Sequence, residues 1–240
     1  MERLDERKLD QLRPVSITPY VNPFAEGSCL IRIGRTEVYV TASVEEKIPP
    51  HVPEGEGWVT AEYSMLPRAN GTRSKRDVSK LKLAGRSAEI QHLIGRSLRA
   101  AVDLKLLGPR QITVDCDVLV ADGGTRTAAI TGGFVALVLA CNKLRQESVI
   151  TESPILNYMA ATSAGIVDGQ PMLDLAYEED SRAEVDLNCV MNDDGQLIEI
   201  QGTGEGRPFT IEEQQELIRL CSGGIARLIN LQRQILWRSI

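Results

Sequence analysis

Apolar and polar residues alternate with a period of two along several stretches of the chain, as in half-buried β-strands. Across residues 28–46 this period continues on both sides of a turn at Gly34 and Arg35, which predicts two paired strands. Residues 47–57 hold three prolines and two glycines and predict a loop. Further strands are predicted over residues 58–66, 111–124, 159–168, 171–179, 184–191 and 196–201.

Three other stretches repeat apolar residues at helical spacing. Residues 87–104 carry a single apolar stripe, so this predicted helix should pack on one face. Residues 127–145 are apolar on most sides, which predicts a helix buried against a sheet. A last helix is expected to begin at Thr210, where Glu213 completes a capping box, and to run to about Trp237.

Strands and helices occur in mixed blocks rather than in strict alternation, which predicts an α+β fold with mixed sheets packed against helices. The 240 residues contain no low-complexity segment and no linker, so residues 1–240 are predicted to form a single domain. Hydrophobic residues make up 42% of the chain and charged residues 25%, which excludes a disordered chain. The five cysteines are scattered without a CxxC pair, and we expect them to be reduced packing residues.

The net charge of the chain is −6, which excludes an overall basic character. No apolar run looks long enough to span a bilayer, and the charged N-terminus does not resemble a secretory signal. We therefore expect a cytoplasmic protein without a membrane partner. With only His51 and His92 in the chain, a zinc site or a Ser/His/Asp hydrolase would depend on one of these two residues or do without histidine.

One segment is strongly basic in spite of the acidic total. Between Arg68 and Arg86 there are seven basic residues and one acidic residue, Asp77, a local charge of +6. Residues 68–80 contain almost no apolar side chains and predict an exposed loop. The segment is either a solvated loop or an arm whose basic side chains contact the phosphates of a polyanion.

A glycine pair, Gly123 and Gly124, separates a predicted strand from a predicted helix. Free N–H groups at the start of a helix favour an anion. The adjoining Thr125 and Thr127 add hydroxyl groups, and Arg126 adds a planar guanidinium suited to phosphate. The turn is either a phosphate site or an ordinary polar strand–helix turn. It lacks the lysine of a Walker A loop, so it does not indicate an NTPase.

The acidic run over residues 178–186 contains Asp180 and Asp186, six positions apart. The two carboxylates share a face if the chain is extended, and they flank a turn if it reverses at Ser181 and Arg182. Paired carboxylates suit a hard cation such as Mg²⁺, although a surface acidic turn has the same composition. The glycine-rich residues 202–206 are predicted to form a structural turn.

Four long blocks of the chain resemble the RNase PH family of phosphate-dependent exoribonucleases, and the resemblance extends over nearly the whole sequence. It implies a fold similar to the second domain of ribosomal protein S5 and a hexameric ring built as a trimer of dimers. It also implies reversible removal of nucleotides from the 3′ ends of precursor tRNA and other RNA, with inorganic phosphate as the attacking group and nucleoside diphosphates as products. The four blocks are residues 57–69, 85–104, 115–133 and 174–188.

The resemblance also implies roles for residues at matching positions. Asp180 and Asp186 would bind Mg²⁺ or take part directly in catalysis. Two positions depart from the family pattern: Glu6 stands where glycine is usual, and Val120 stands where glutamine is common. The phosphate-binding residues would be Arg86, Gly124, Thr125 and Arg126, and the tRNA-binding residues would be Arg68, Arg73 and Arg76.

Two other functions compete with phosphorolysis. A non-catalytic, RNA-channelling subunit of an exosome-like ring would have the same fold, but such subunits have usually lost the phosphate arginines or the metal aspartates. A hydrolytic metal-dependent nuclease would need a larger cluster of metal ligands, and it would leave the two predicted anion-binding segments unexplained.

Overall fold

The computed structural model describes residue 3, residues 5–76 and residues 85–237. Its first sheet has five strands in the order β1-β2-β3-β5-β4. All neighbours pair antiparallel except β4 and β5, which are parallel. The strands are β1 (Val15–Pro19), β2 (Gly27–Ile33), β3 (Thr36–Glu45), β4 (Trp58–Met65) and β5 (Gln111–Val120).

The second sheet has four antiparallel strands in the order β7-β6-β8-β9. In the described part of the chain, five helices accompany the two sheets, and two of them have only four residues each. The strands are β6 (Met159–Val167), β7 (Gln170–Leu173), β8 (Val185–Asn192) and β9 (Leu197–Gly204). The helices are α1 (Gly85–Arg99), α2 (Leu104–Leu107), α3 (Thr125–Gln146), α4 (Tyr177–Asp180) and α5 (Ile211–Trp237).

Helix α3 is the central packing element. It contacts β2 and β3 of the first sheet and β6 of the second, so the main core includes residues from both sheets. Helix α1 packs on β4 and α3, and α5 packs on β6 and β7. The predicted α+β fold class is confirmed, whereas the assignment of residues 1–240 to a single domain stays a prediction.

By length and hydropathy alone, α3 is long and apolar enough to cross a membrane, which the sequence expectation did not include. In the most apolar stretch of α3, 89% of that stretch is buried inside the fold. The apolar residues on all sides of this helix therefore pack against two sheets, as the sequence pattern predicted.

All five cysteines are buried and free, and burial raises the pKa of the Cys29 and Cys141 thiols to about 12.

The strand predicted over residues 171–179 is shorter than expected. Strand β7 ends at Leu173, and Asp174 takes a left-handed conformation with φ of 54°. The chain then bends into α4, because the backbone N–H and the guanidinium of Arg13 bind the Asp174 carboxylate. The apolar alternation in the sequence could not reveal this contact with a residue far away in the chain.

The helix predicted over residues 87–104 also ends early, at Arg99. Asp103 caps the separate helix α2 by accepting hydrogen bonds from the backbone N–H groups of Lys105 and Leu106. The capping box at the start of α5 is confirmed, since Thr210 and Glu213 exchange backbone-to-side-chain hydrogen bonds of 2.9 and 3.2 Å.

Candidate active site

The glycine turn between β5 and α3 forms one wall of the site. Gly123 and Gly124 both adopt left-handed conformations, with φ of 76° and 65°, a region that glycine enters at little cost. Within the described part of the chain, no side chain caps Gly124 at the start of α3. No capping side chain therefore accepts hydrogen bonds from the first N–H groups of the helix, and these groups can bind an anion.

Two hydroxyl groups border this turn. The Tyr63 hydroxyl donates a 2.8 Å hydrogen bond to Thr125 Oγ1, and Thr127 Oγ1 donates a 2.9 Å bond to the carbonyl of Gly124. Burial raises the pKa of Tyr63 and keeps the phenol protonated. Thr125 is thus oriented from the first sheet, while Thr127 closes the turn on itself.

Arg13 ties the glycine turn to the second sheet. Its Nη2 donates to Asp174 Oδ1 at 2.7 Å, and its Nη1 donates to the carbonyl of Asp122. Both Arg13 and Asp174 are buried. Since Asp122 precedes Gly123 and Asp174 follows β7, one guanidinium holds the two segments that border the site.

Two further arginines of the N-terminal segment hold α4. Arg3 binds both carboxylate oxygens of the buried Glu179, at 2.8 and 2.6 Å, and Arg7 reaches the same carboxylate at 3.4 Å. Glu6, which stands at a usual glycine position, keeps a left-handed turn with φ of 60°. This network was not predicted from the sequence, although three arginines in the first thirteen residues were a visible signal.

Asp180 and Asp186 interact electrostatically with each other and with Arg126, which follows the glycine turn. Asp180 is the last residue of α4, and Asp186 is the second residue of β8. Burial and the negative charge of Asp180 raise the pKa of Asp186 to about 6. Partial burial raises the pKa of Asp180, while the charges of Arg86 and Arg126 lower it.

The structure brings both predicted arginines near Asp180, and it brings Arg126 near Asp186 as well. Arg86 comes from the first turn of α1 and Arg126 from the first turn of α3. Each interacts electrostatically with Asp180 and with Tyr63, and Arg126 also interacts with Asp186. Four elements thus contribute charged side chains to one place.

Two neighbours of the carboxylates were missed by sequence reasoning. Asn188 donates a 3.0 Å hydrogen bond to Asp186 Oδ2. Glu205 follows β9, and its negative charge raises the pKa of both Asp180 and Asp186. The sequence predicts only a structural turn over residues 202–206, but β9 continues through Gly204 and carries Glu205 to the site.

The carboxylate pair fits Mg²⁺ better than a metal enclosed by protein ligands. Among the described residues, no three His, Cys, Asp or Glu side chains form a group able to hold a metal ion. Mg²⁺ usually binds through one or two carboxylates together with substrate phosphates and water. The repulsion between Asp180 and Asp186 is of the kind that a cation relieves.

The basic segment begins beside the site. Arg68, Arg73 and Arg76 are all exposed, as predicted. The segment is anchored at its start, because the carbonyl of the buried Ala69 accepts a 2.9 Å hydrogen bond from the N–H of Ala121, two residues before Gly123. Asp77, Lys80 and Lys82, which belong to the predicted basic segment, lie outside the described residues.

Comparison with protein-family models matches most of the chain. Residues 11–141 match the RNase PH model described as "3′ exoribonuclease family, domain 1", and residues 157–222 match the model described as "3′ exoribonuclease family, domain 2". The chain belongs to the 3′ exoribonuclease family. The resemblance to RNase PH is thereby confirmed at the level of the family.

Within this 3′ exoribonuclease family member, the site lies where the two matched regions meet. Gly124 and Arg126 belong to the first region, and Asp180 and Asp186 belong to the second. The glycine turn and the carboxylates are thus contributed by different parts of the family fold.

Solved structures share this fold over almost the whole chain. Rrp46 of rice (Oryza sativa) is 20% identical with a TM-score of 0.79, and the match covers 98% of this chain and 100% of that one. An archaeal exosome core is 23% identical with a TM-score of 0.78, covering 97% and 91%. The Archaeoglobus fulgidus exosome, solved with RNA bound to the active site, is 24% identical with a TM-score of 0.78, covering 100% and 93%. At these identities the comparison establishes the fold alone.

Proposed function

We propose that this protein is a phosphorolytic 3′–5′ exoribonuclease that trims the 3′ ends of precursor tRNA and can also run in reverse. The observation that carries the proposal is the convergence of Arg86 and Arg126 with Asp180 and Asp186 at an uncapped helix N-terminus. The positive groups suit a phosphate, and the carboxylates suit a cation shared with RNA.

Inorganic phosphate is the nucleophile that this arrangement favours. It would bind at Gly124 and Thr125 between Arg86 and Arg126. One of its oxygens would form a bond to the terminal phosphorus of the RNA, and the bond from that phosphorus to the preceding 3′ oxygen would break. All five cysteines are buried, so none offers an accessible thiolate. Catalysis would then consist of positioning and charge stabilisation.

Asp180 and Asp186 would hold Mg²⁺ or act directly on the reacting groups. Bound Mg²⁺ would supply positive charge to stabilise the phosphoryl group and would orient the leaving oxygen. Arg68, Arg73 and Arg76 would bind the tRNA body at its phosphates, away from the reacting end. The active form would be a homo-hexamer in the cytoplasm.

A time course on a tRNA with a 3′ extension tests the proposal. The reaction contains Mg²⁺, with or without inorganic phosphate, and the released nucleotides are identified. Phosphate-dependent release of nucleoside diphosphates is the expected result. Release of monophosphates without phosphate would overturn the proposal in favour of a hydrolytic nuclease. Binding of RNA without any release would overturn it in favour of a non-catalytic ring subunit.

A further inference from the structure

Arg126 is held by a chain of hydrogen bonds that crosses three elements. Its Nη1 donates to Gln201 Oε1 of β9 at 2.5 Å. Gln201 Nε2 in turn donates to Glu89 Oε1 of α1 at 2.6 Å. Glu89 lies one helical turn after Arg86, so this chain joins the two helices that carry the predicted phosphate arginines.

The two partners determine the orientation of the Gln201 amide. A guanidinium only donates hydrogen bonds, and an ionised carboxylate only accepts them. The amide oxygen must therefore face Arg126, and the amide nitrogen must face Glu89. In the sheet, Gln201 of β9 is paired with Asn188 of β8, and Asp186 lies two residues before Asn188 on the same strand. Paired residues share a face of a sheet, as do residues two apart on one strand, so Gln201 and Asp186 lie on the same face.

Gln201 carries no charge, and this affects how strongly Arg126 can attract a phosphate. A carboxylate at this position would orient Arg126 equally well, but it would also neutralise the guanidinium and repel an incoming phosphate. An amide oxygen orients the guanidinium and leaves its charge for a ligand. Within the described part of the chain, Arg126 donates to no other group, so most of its five N–H donors are not used by the protein.

We propose that Gln201 is a positioning residue, anchored by Glu89, that orients Arg126 toward inorganic phosphate without forming an ion pair with it. This inference rests on the proposed phosphate site and assigns to that site a determinant of phosphate affinity. Gln201 is not expected to touch the reacting atoms. Its effect passes through Arg126, so it concerns the binding of phosphate rather than the binding of RNA.

The chain offers a matched control on the same two elements. Arg96 of α1 and Glu199 of β9 form a 3.1 Å ion pair, and Glu199 is two residues from Gln201 along the strand. This pair also links α1 to β9 but does not include Arg126. Glu199→Gln therefore removes the charge of this ion pair between the elements while leaving the Arg126 contact in place.

The test measures phosphate binding to the RNA-free protein by calorimetry, and the KM for phosphate together with kcat on a short RNA. The variants are Gln201→Glu, Gln201→Met, Glu199→Gln and Arg126→Ala. Gln201→Glu is expected to weaken phosphate binding at least about tenfold and to raise the KM for phosphate by more than it lowers kcat. Gln201→Met, which removes the contact without adding charge, is expected to weaken binding by a smaller factor, and RNA affinity should change little in both.

The outcomes separate this inference from the proposed function. Normal phosphate affinity in Gln201→Glu, with affinity lost in Arg126→Ala, would overturn the role of Gln201 and leave the phosphate site standing. An equal loss in Glu199→Gln would also overturn it, because the effect would then come from the α1–β9 contact in general. Absence of phosphate binding in the unaltered protein would overturn the inference together with the phosphate site on which it rests.

Discussion

At the scale of single residues, the glycine turn and the segment before Asp180 contact each other through their backbones. A Cβ added to Gly123 would lie 3.0 Å from backbone atoms of Ala176 and Tyr177, closer than real Cβ atoms usually come to any neighbour. No side chain other than the hydrogen of glycine fits there, because both the space and the left-handed φ exclude it.

Gly123→Ala is therefore expected to destabilise the protein by about 2–4 kcal/mol, combining the backbone strain with the clash. The matched control is Gly169→Ala, which has a similar φ of 71° but no atom within 4 Å of the added Cβ. The control should lose only about 1 kcal/mol. Urea unfolding measures both, and equal losses would show that the close contact with residues 176–177 is unimportant.

Two other single substitutions test whether residues of the site are needed for the reaction but not for assembly of the oligomer. Asp180→Asn and Arg126→Ala should each lower the rate of phosphorolysis by at least about 100-fold, because charge stabilisation at the phosphoryl group is lost. The oligomer should persist in both variants. Light scattering after gel filtration measures assembly, and dissociation of either variant would contradict this division between catalysis and assembly.

At the scale of elements, the N-terminal segment fastens α4 and the end of β7 to the rest of the molecule. Arg13 and Asp174 are 161 positions apart in the chain, yet they form a buried ion pair. The strand predicted over residues 171–179 ends at Leu173 for this reason. The local alternation favours an extended chain, but the ion pair and the bend at Asp174 decide the conformation.

Arg13→Met should be strongly destabilising, because it leaves the Asp174 carboxylate buried without its main partner. The expected loss is about 3–5 kcal/mol in the free energy of unfolding. Adding Asp174→Asn should recover part of that loss, since the uncompensated charge disappears. Arg32→Met, which breaks a half-exposed pair with Glu37, serves as the control and should cost less than about 1 kcal/mol.

The outer face of the first sheet carries a carboxylate that should make stability depend on pH. Asp115 of β5 lies beside Glu62 of β4, its partner in the sheet, and burial, Glu62 and Asp117 raise its pKa to about 6. Because the pKa in the folded state exceeds the ordinary value of 3.8, its stabilising contribution is complete below about pH 4 and is lost as the pH rises through 6.

Asp115→Asn should therefore be more stable than the unaltered protein at pH 8, and the difference should disappear near pH 4. The expected gain is only about 1 kcal/mol, since the half-exposed carboxylate is screened by water. Thermal unfolding across this pH range measures the difference. A gain that is the same at pH 4 and pH 8 would contradict the titration of Asp115 as its cause.

At the scale of the whole molecule, the distribution of charge over the surface affects the binding of a polyanion more than the net charge does. The net charge is −6, yet Arg68, Arg73 and Arg76 form an exposed basic surface beside the site. A polyanion would be repelled by most of the protein and attracted here, which would orient it with respect to the site.

Replacing Arg68, Arg73 and Arg76 together with glutamine should weaken tRNA binding and reduce its dependence on salt. Each lost phosphate contact lowers the slope of log K against log salt by about 0.7–0.9. Degradation of a short RNA should be spared, because such a substrate does not reach the loop. Filter binding over a range of salt concentrations and a rate assay on a short oligonucleotide provide the measurements. An equal loss on both substrates would contradict a separate role for this loop.

The sequence by itself determined most elements, because the period of apolar residues records which side of a strand or helix is buried. Local chemistry also identified Arg126, Asp180 and Asp186 as candidates, since a glycine turn with an arginine and a pair of carboxylates are recognisable, whereas Arg86 became a phosphate-binding candidate through the resemblance to RNase PH. Only the tertiary structure decided that these four converge, that Arg13 holds the bend at Asp174, and that Gln201 orients Arg126. These contacts join residues far apart in the chain, so no local pattern encodes them.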